Sequence, residues 1–471
     1  MPDNPNHVAL ARAYQAATDW IDGYATRPVG ATIGAAELRR RMRVPLQREP
    51  MDAARIIDDL VAMTEGGLHG SAGGRFFAWV MGGALPSALA ADWLTTAWDQ
   101  NGALYTTSPA AAIVEEVAGE WLLDVLDLPR DASFALTTGC QLAHFTGLAA
   151  ARHAVLQRHG WDEHLDGLSG APRIRVLASE HHHGSVDRAV RFLGIGARNI
   201  ESLETDRIGC IAASTLAHAL EKSSGPTIVV LDAADLNIAA FDDCSVLVPI
   251  AQAAGAWVHV DGAFGLFARA SATKRALLNG VELADSWAMD AHKWLNVPFD
   301  CGISVVRDRA AHRAAMTLTA SYITAPEDTR NQIDWNPEWS RRARGFPVYA
   351  ALRELGRDGL GDLIDRTCAH CEAIVTGIGA MPGAETVWVS QLNQGLVRFL
   401  DTRPGAEAAD HDRRTDRVIA AVNAGGEAFF SGTTWQGRRA MRVSVVNWRT
   451  SDDDVSRTLA AVRQALAAAA G

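Results

Sequence analysis

The sequence predicts an α/β protein with three parts: a large domain on a mostly parallel, doubly wound sheet, a smaller C-terminal α+β domain, and an N-terminal helical arm. Three observations predict it. From about residue 130 to residue 306, short apolar runs alternate with helical runs, the pattern of strands joined by helical crossovers. Those runs are continuously apolar rather than alternating, as strands covered on both faces are. Before residue 66 only helical spacing is visible, and after residue 326 strands and helices recur on a smaller scale. At 471 residues the chain exceeds one domain by the prior of ~150 residues per domain. The predicted parts are 1–65, 66–325 and 326–471.

In the arm, Leu10, Tyr14, Ala17 and Ile21 recur at helical spacing, Arg27-Pro28-Val29-Gly30 breaks the pattern, and Pro50 to Met63 resumes it. The glycine-rich stretch Glu65–Gly74 reads as a loop, and Leu85–Asn101 and Ala110–Val125 as helices. Phe134–Thr137 is the first strand of the large domain. Thr138-Gly139-Cys140-Gln141 then leads into the helical run Leu142–Arg152, and a strand, a glycine turn and a helix N-terminus together favour a bound anion such as phosphate. Further strands are expected at Ile174–Ala178, Thr227–Leu231, Ala256–Val260, Ser286–Met289 and Gly302–Val306, with a helix over Arg269–Gly280. The small domain is expected to contain strands near Leu396–Leu400 and Met441–Val446 and a helix at Asp452–Ala469.

Composition narrows the function. A content of 48% apolar and 21% charged residues is that of an ordinary globular chain, and a net charge of −11 without a dense basic run argues against nucleic acid or anionic membrane as partners. The expected partner is a small molecule. No basic start followed by an apolar core marks a secretory signal, and the most apolar stretch, Ser245–Val260, is interrupted and too short to span a membrane. A cytoplasmic location is expected. Six scattered cysteines lack a disulfide framework and are expected as free thiols. The run His181-His182-His183 is not expected to bind metal, because adjacent side chains point in different directions. Cys368-Ala369-His370-Cys371 is half a zinc site without a second half.

The chemistry concentrates in Ala256–Val306. Its first strand delivers Asp261 at a carboxyl end, where open α/β sheets bind ligands, and Asp290, His292 and Lys293 follow the next apolar patch. A lysine among apolar residues needs a partner. Pyridoxal phosphate needs a lysine amine to hold it as a Schiff base and a carboxylate to keep its ring nitrogen protonated. Lys293 and Asp261 have those chemistries. The wording His-Val-Asp-Gly-Ala-Phe-Gly (259–265) followed by Asp-Ala-His-Lys-Trp-Leu-Asn-Val-Pro-Phe-Asp-Cys-Gly (290–302) resembles the group II pyridoxal-phosphate-dependent amino acid decarboxylases, of fold type I, which include aromatic amino acid and glutamate decarboxylases.

The resemblance implies more. His183 falls on the histidine that stacks on the cofactor ring, within Ser179-x-x-x-His183-x-Ser185-Val186. Gly139, Cys140 and Gln141 fall on a Gly-Gly-Ser/Thr phosphate loop, with Cys140 and Gln141 departing from it, so backbone donors matter more there. Ala263 is small enough for the ring to lie flat, and His292 is expected near the phosphate. Asp290, itself an anion, is expected to meet the phosphate through its backbone at most. Asp235 and Leu236 replace threonines of the family segment. Phe77 and Trp79 fall on a stretch contributing to the substrate pocket. Tyr322, on a loop after the lysine, is the candidate acid that protonates Cα after CO₂ leaves. The arm is expected to wrap the second subunit of a homodimer.

A free lysine amine, with a reference pKa of about 10.4, is a poor nucleophile at neutral pH, and desolvation together with the cofactor is expected to correct this. The expected function is decarboxylation of an L-amino acid to its amine. An oxidative deaminase, an aminotransferase with Arg442 as the candidate carboxylate clamp, or a non-catalytic cofactor-binding protein are the alternatives on one scaffold.

Overall fold

The computed structural model describes residues 5–222, 224–317 and 329–468. Its large sheet takes strands β1 (Ser133–Thr137), β2 (Arg175–Ser179), β3 (Ile200–Leu203), β4 (Thr227–Asp232), β5 (Trp257–Asp261), β6 (Ser286–Asp290) and β7 (Gly302–Val306) in the order β1-β7-β6-β5-β4-β2-β3. Strands β6-β5-β4-β2-β3 pair in parallel, and β7 runs antiparallel between β1 and β6. The predicted parallel sheet therefore carries one reversed strand, because β7 returns directly after the turn that bears Lys293.

Both faces of the sheet are covered. Leu177, Val229, Leu231, Val258 and Val260 enter one apolar cluster, while Val176, Ala178, Ile228, Val230 and Trp257 enter another. Successive side chains on a strand point to opposite faces, so this partition is what a doubly wound sheet produces. The helix Cys140–Arg158 lies against β5, β6 and β7, and its small residues allow the approach. A Cβ at Gly119 or Gly147 would collide with Phe134 or His259.

The C-terminal part holds a four-stranded antiparallel sheet, β10-β11-β9-β8, from β8 (Ala384–Trp388), β9 (Gln394–Phe399), β10 (Ser431–Trp435) and β11 (Arg438–Ser444). Helix Ala408–Gly425 and the helical stretch Gly345–Gly379 cover it, and helix Asp452–Ala468 packs on both of them. The helical stretch Gly345–Gly379 joins the two parts: Ala350 and Glu354 bond to Ser87 of helix Pro86–Trp98, while Gly377 and Gly379 meet Leu459 and Thr386. Its break falls at Gly356, whose φ of 62° and ψ of −174° suit glycine almost alone. In the arm, helices Pro5–Asp22 and Ala53–Thr64 pack on each other, with Ala35–Met42 between them in sequence.

The helix expected over Arg269–Gly280 is instead two 3₁₀ turns, Gly265–Ala270 and Arg275–Leu278. Ser271 causes the interruption. Its hydroxyl accepts from the N–H groups of Thr273 and Lys274 and donates to Asp365, so side-chain bonds replace the helical ladder. Among the described residues, no helix is long and apolar enough to cross a membrane.

Candidate active site

Three adjacent strands end in a carboxylate: β4 in Asp232, β5 in Asp261 and β6 in Asp290. All three line a cavity of about 560 Å³ at the carboxyl edge of the sheet. Lys293, Ala263 and His183 line it too, as do Gly139, Cys140, Gln141 and His292. The fold thus gathers the residues that the sequence reading scattered over 155 positions (139 to 293).

Lys293 follows β6 in a tight turn, and its Nζ lies 3.1 Å from Asp290 Oδ2. Burial alone lowers an amine's pKa, but here Asp290, then Cys140 and Asp261, outweigh it and hold the ammonium above its ordinary value. Desolvation by itself therefore does not lower the pKa of the free amine here. Asp290 is also more than a backbone neighbour, since its Oδ1 accepts the N–H of Cys140 at 2.5 Å. An anion therefore already faces the helix N-terminus where the phosphate loop was expected. Gly302 makes that approach possible, because a Cβ there would fall 2.3 Å from the Gly139 carbonyl carbon.

Asp261 accepts the Ala263 N–H at 3.0 Å and lies 3.3 Å from His144 Nε2. Burial pushes its carboxyl up, but His144, then His183 and the Ala263 N–H, outweigh this and hold it well below the usual carboxylate range. Asp232, its register partner on β4, is pushed well above that range by burial and by Asp242 and Asp261. Neighbouring carboxylates are thereby pushed in opposite directions, Asp232 up and Asp261 down.

His183 caps helix Gly184–Phe192, its Nδ1 accepting the Ser185 N–H at 3.2 Å and lying 2.7 Å from Ser185 Oγ. That leaves Nε2 as its N–H, and burial lowers the ring's pKa. The adjacent imidazoles diverge. His181 packs on Trp435 at 4.7 Å, and His182 lies 2.6 Å from the Ser179 carbonyl and 3.2 Å from Asp187. His292 takes the Cys301 N–H on Nδ1 at 3.2 Å, and burial lowers its pKa as well. Gln141 donates from its side chain to the Ser185 carbonyl at 3.2 Å.

Some expected residues do not reach the cavity. Phe77 is 1% exposed and stacks on Phe430 at 5.3 Å within the small-domain core, which leaves it no face for a ligand. Trp79 is 53% exposed and packs beside Phe76 and Phe429. Arg442 is buried, with its nitrogens 3.4 Å from the Leu236 carbonyl and from Ser431 Oγ, and does not line the cavity. Tyr322 lies outside the described residues. Sequence reasoning missed Asp232 and the carboxylate of Asp235 as cavity groups, and it missed His144 altogether; none has a motif of its own, and each is found through its neighbours in space.

Residues 36–400 match the model of the pyridoxal-dependent decarboxylase conserved domain. The chain belongs to the pyridoxal-dependent decarboxylase family. It is 30% identical over 386 residues to the L-2,4-diaminobutyrate decarboxylase of Rhizobium meliloti (strain 1021), covering 80% of this chain and 74% of that one. It is 25% identical over 451 residues to the phenylacetaldehyde synthase of a Rosa hybrid cultivar, covering 91% and 87%. The crystal structure of Oryza sativa TDC with PLP and tryptamine matches its fold with a TM-score of 0.92 at 23% identity, over the whole of both chains. The decarboxylase family fixes the cofactor as pyridoxal 5'-phosphate and the reaction class as amino acid decarboxylation. The donor set fits that cofactor: an amine and an ionised carboxylate share one cavity with a helix N-terminus, and the volume suits a small ligand. The departure is the carboxylate of Asp290 beside the anion-binding end.

Proposed function

We propose that the enzyme decarboxylates an L-amino acid in this cavity, with Lys293 as the residue that bonds the cofactor. One observation carries the assignment. Of the three lysines in the sequence, Lys222, Lys274 and Lys293, only Lys293 lines the cavity that also holds Asp261. Bound there, pyridoxal phosphate supplies an electron sink for the bond that breaks at the substrate Cα. Asp261 would pair with the ring nitrogen, Ala263 and His183 would lie beside the ring, and the backbone of Gly139, Cys140 and Gln141, with His292, would hold the phosphate. Tyr322 gives its phenolic proton to Cα after CO₂ departs, a step worth roughly 10²–10⁴-fold when the acid is positioned. The enzyme works as a homodimer. Supporting this are Leu10, Tyr14, Leu46 and Leu60, apolar arm residues that are each more than half exposed.

Borohydride reduction of the yellow holoenzyme followed by peptide mapping tests the site, and modification of Lys222 or Lys274 would overturn it. Assay of common amino acids for amine and CO₂ tests the reaction. Equimolar amine and CO₂ are expected; aldehyde, ammonia and oxygen uptake from the unaltered enzyme would assign it to aldehyde formation instead. With Tyr322→Phe the amine rate should fall by roughly 10²-fold or more, with oxygen uptake and aldehyde rising. An unchanged amine rate would remove Tyr322 from the mechanism.

A further inference from the structure

Asp261 is backed by a chain of buried polar side chains that does not line the cavity. His144 stands one turn into helix Cys140–Arg158, and His259 stands two residues before Asp261 on β5, hence on the same strand face. His144 Nε2 is 3.3 Å from Asp261 Oδ2, and its Nδ1 is 2.9 Å from His259 Nε2. His259 Nδ1 is 2.8 Å from Ser286 Oγ on β6, which accepts the Trp257 Nε1–H at 2.9 Å. His144, His259 and Ser286 are all 0% exposed. Helix position 147 is kept open for them, since a Cβ on Gly147 would lie 2.9 Å from the His259 ring.

With a neutral His144 ring and an ionised Asp261, one proton assignment satisfies every link. The Ser286 hydroxyl, already an acceptor from Trp257, donates to His259 Nδ1. His259 must then carry its proton on Nε2 and donate it to His144 Nδ1. His144 in turn must carry its proton on Nε2 and donate it to Asp261. Burial and His144 push the His259 pKa down to about 3, in keeping with a neutral ring. Cys140 Sγ, 3.4 Å from His144 Nε2, is a weak second acceptor, its thiol held protonated by burial. Four buried polar side chains gain nothing over apolar ones unless each is satisfied and the chain ends on something that matters. This one ends on the cavity carboxylate.

We propose that His144, held in a single tautomer by His259 and Ser286, is the positioning residue that keeps Asp261 an oriented, ionised acceptor, and so keeps the cofactor's ring nitrogen protonated. The proposal rests on Asp261 being the partner of that nitrogen. A histidine that could rotate or switch tautomer would offer Asp261 no N–H, and the buried carboxyl would rise toward the state Asp232 occupies.

The test uses holoenzyme loaded with pyridoxal phosphate carrying ¹⁵N in the ring. The ¹⁵N shift is read in the unaltered enzyme, in Asp261→Asn as control, and in His144→Leu, His144→Gln and Gly147→Ala, with thermal melts to establish folding. The unaltered enzyme should show a protonated nitrogen. His144→Gln, whose amide N–H can reach Asp261, should retain it. His144→Leu should lose it, with kcat falling roughly ten- to a hundredfold, the worth of a hydrogen bond to a charged group, and KM changing less than about twofold. Gly147→Ala, which displaces His259, should fall between them and serves if the leucine variant does not fold. A nitrogen still protonated in His144→Leu or in Asp261→Asn overturns the inference, as does an unprotonated nitrogen in the unaltered enzyme. An enzyme that releases no amine yet shows this ¹⁵N series would sink the decarboxylation reading and leave the inference standing.

Discussion

Asp290 is the residue whose local chemistry departs furthest from a cup built for phosphate. Its two oxygens face the Lys293 ammonium and the Cys140 N–H, so one carboxylate satisfies both the amine that must react and the helix end that must bind an anion. Asp290→Asn keeps an oxygen for Cys140 and removes the charge. Burial of Lys293 then goes unopposed by its strongest partner and its pKa falls. Cofactor attachment, followed by growth of the yellow colour at pH 7.5, should become about tenfold faster or more, the worth of one charge-assisted hydrogen bond. An unchanged rate would mean that Asp290 does not restrain Lys293. His312 offers a residue-scale test of stability. It is wholly buried between Ser133 Oγ and the Trp335 carbonyl, and burial, then Arg330, push its pKa down to about 3. A histidine depressed in the fold contributes stability that is present above its unfolded pKa of ~6.5 and is lost as pH falls below it. Between pH 7.5 and 5, the stability advantage of the unaltered protein over His312→Gln should shrink by about 2 kcal/mol in urea unfolding. A gap constant with pH would show that the ring takes up its proton in the fold as readily as in the unfolded chain.

At the scale of elements, the turn after β6 is held by Asn296 rather than by Lys293. Asn296 is fully buried in left-handed backbone (φ 52°), a conformation asparagine tolerates better than most residues. Its Oδ1 accepts from the N–H groups of Gly83 and Trp448, its Nδ2 donates to the carbonyls of Trp294 and Val446, and its own carbonyl accepts from Leu85. Segment 82–85, the lysine turn and the end of the small domain thus meet on one side chain. Gly82 must be bare there, since a Cβ would fall 2.0 Å from the Lys293 carbonyl oxygen. Asn296→Ala strands two buried donors and two carbonyls and should cost roughly 2–5 kcal/mol, read as a loss of several degrees in melting temperature. A loss under ~0.5 kcal/mol would show that water replaces the amide. None of this was legible, because Asn296 reads as a turn residue and its partners come from positions 83, 446 and 448. The central strands were legible because both faces are buried, which leaves unbroken apolar runs at β4 and β5. Edge strand β3, Ile-Glu-Ser-Leu, is only partly buried and carries no such run. The same holds for β8, whose residues are all half-buried.

For the whole molecule, the candidate site was legible to the extent that it lies at strand ends, where Asp261 and Lys293 announce themselves by chemistry. The support behind it was not, because His144, His259 and Ser286 become neighbours only once β5 and β6 pair and helix Cys140–Arg158 packs across them. The arm poses the remaining question at this scale. Its helices Pro5–Asp22 and Ala53–Thr64 pack on each other yet leave Leu10 62% and Leu60 54% exposed, and the segment between carries Leu46 at 92%. A lone chain gains nothing from so much exposed apolar surface, whereas a second subunit covering it gains about 1.5–3 kcal/mol for each leucine fully buried. Leu10→Asp combined with Leu60→Asp should therefore weaken the proposed homodimer by roughly 10²-fold or more, read as a shift to monomer in sedimentation equilibrium at micromolar protein. Both positions lie far in sequence from Lys293 and neither lines the cavity, so a lost dimer that keeps its yellow colour would show the arm to be an assembly element alone. If colour and amine production disappear with the dimer, the second subunit completes the site. A double variant that stays dimeric at nanomolar concentration would leave those leucines without a role in assembly, and the homodimer would have to form through another face.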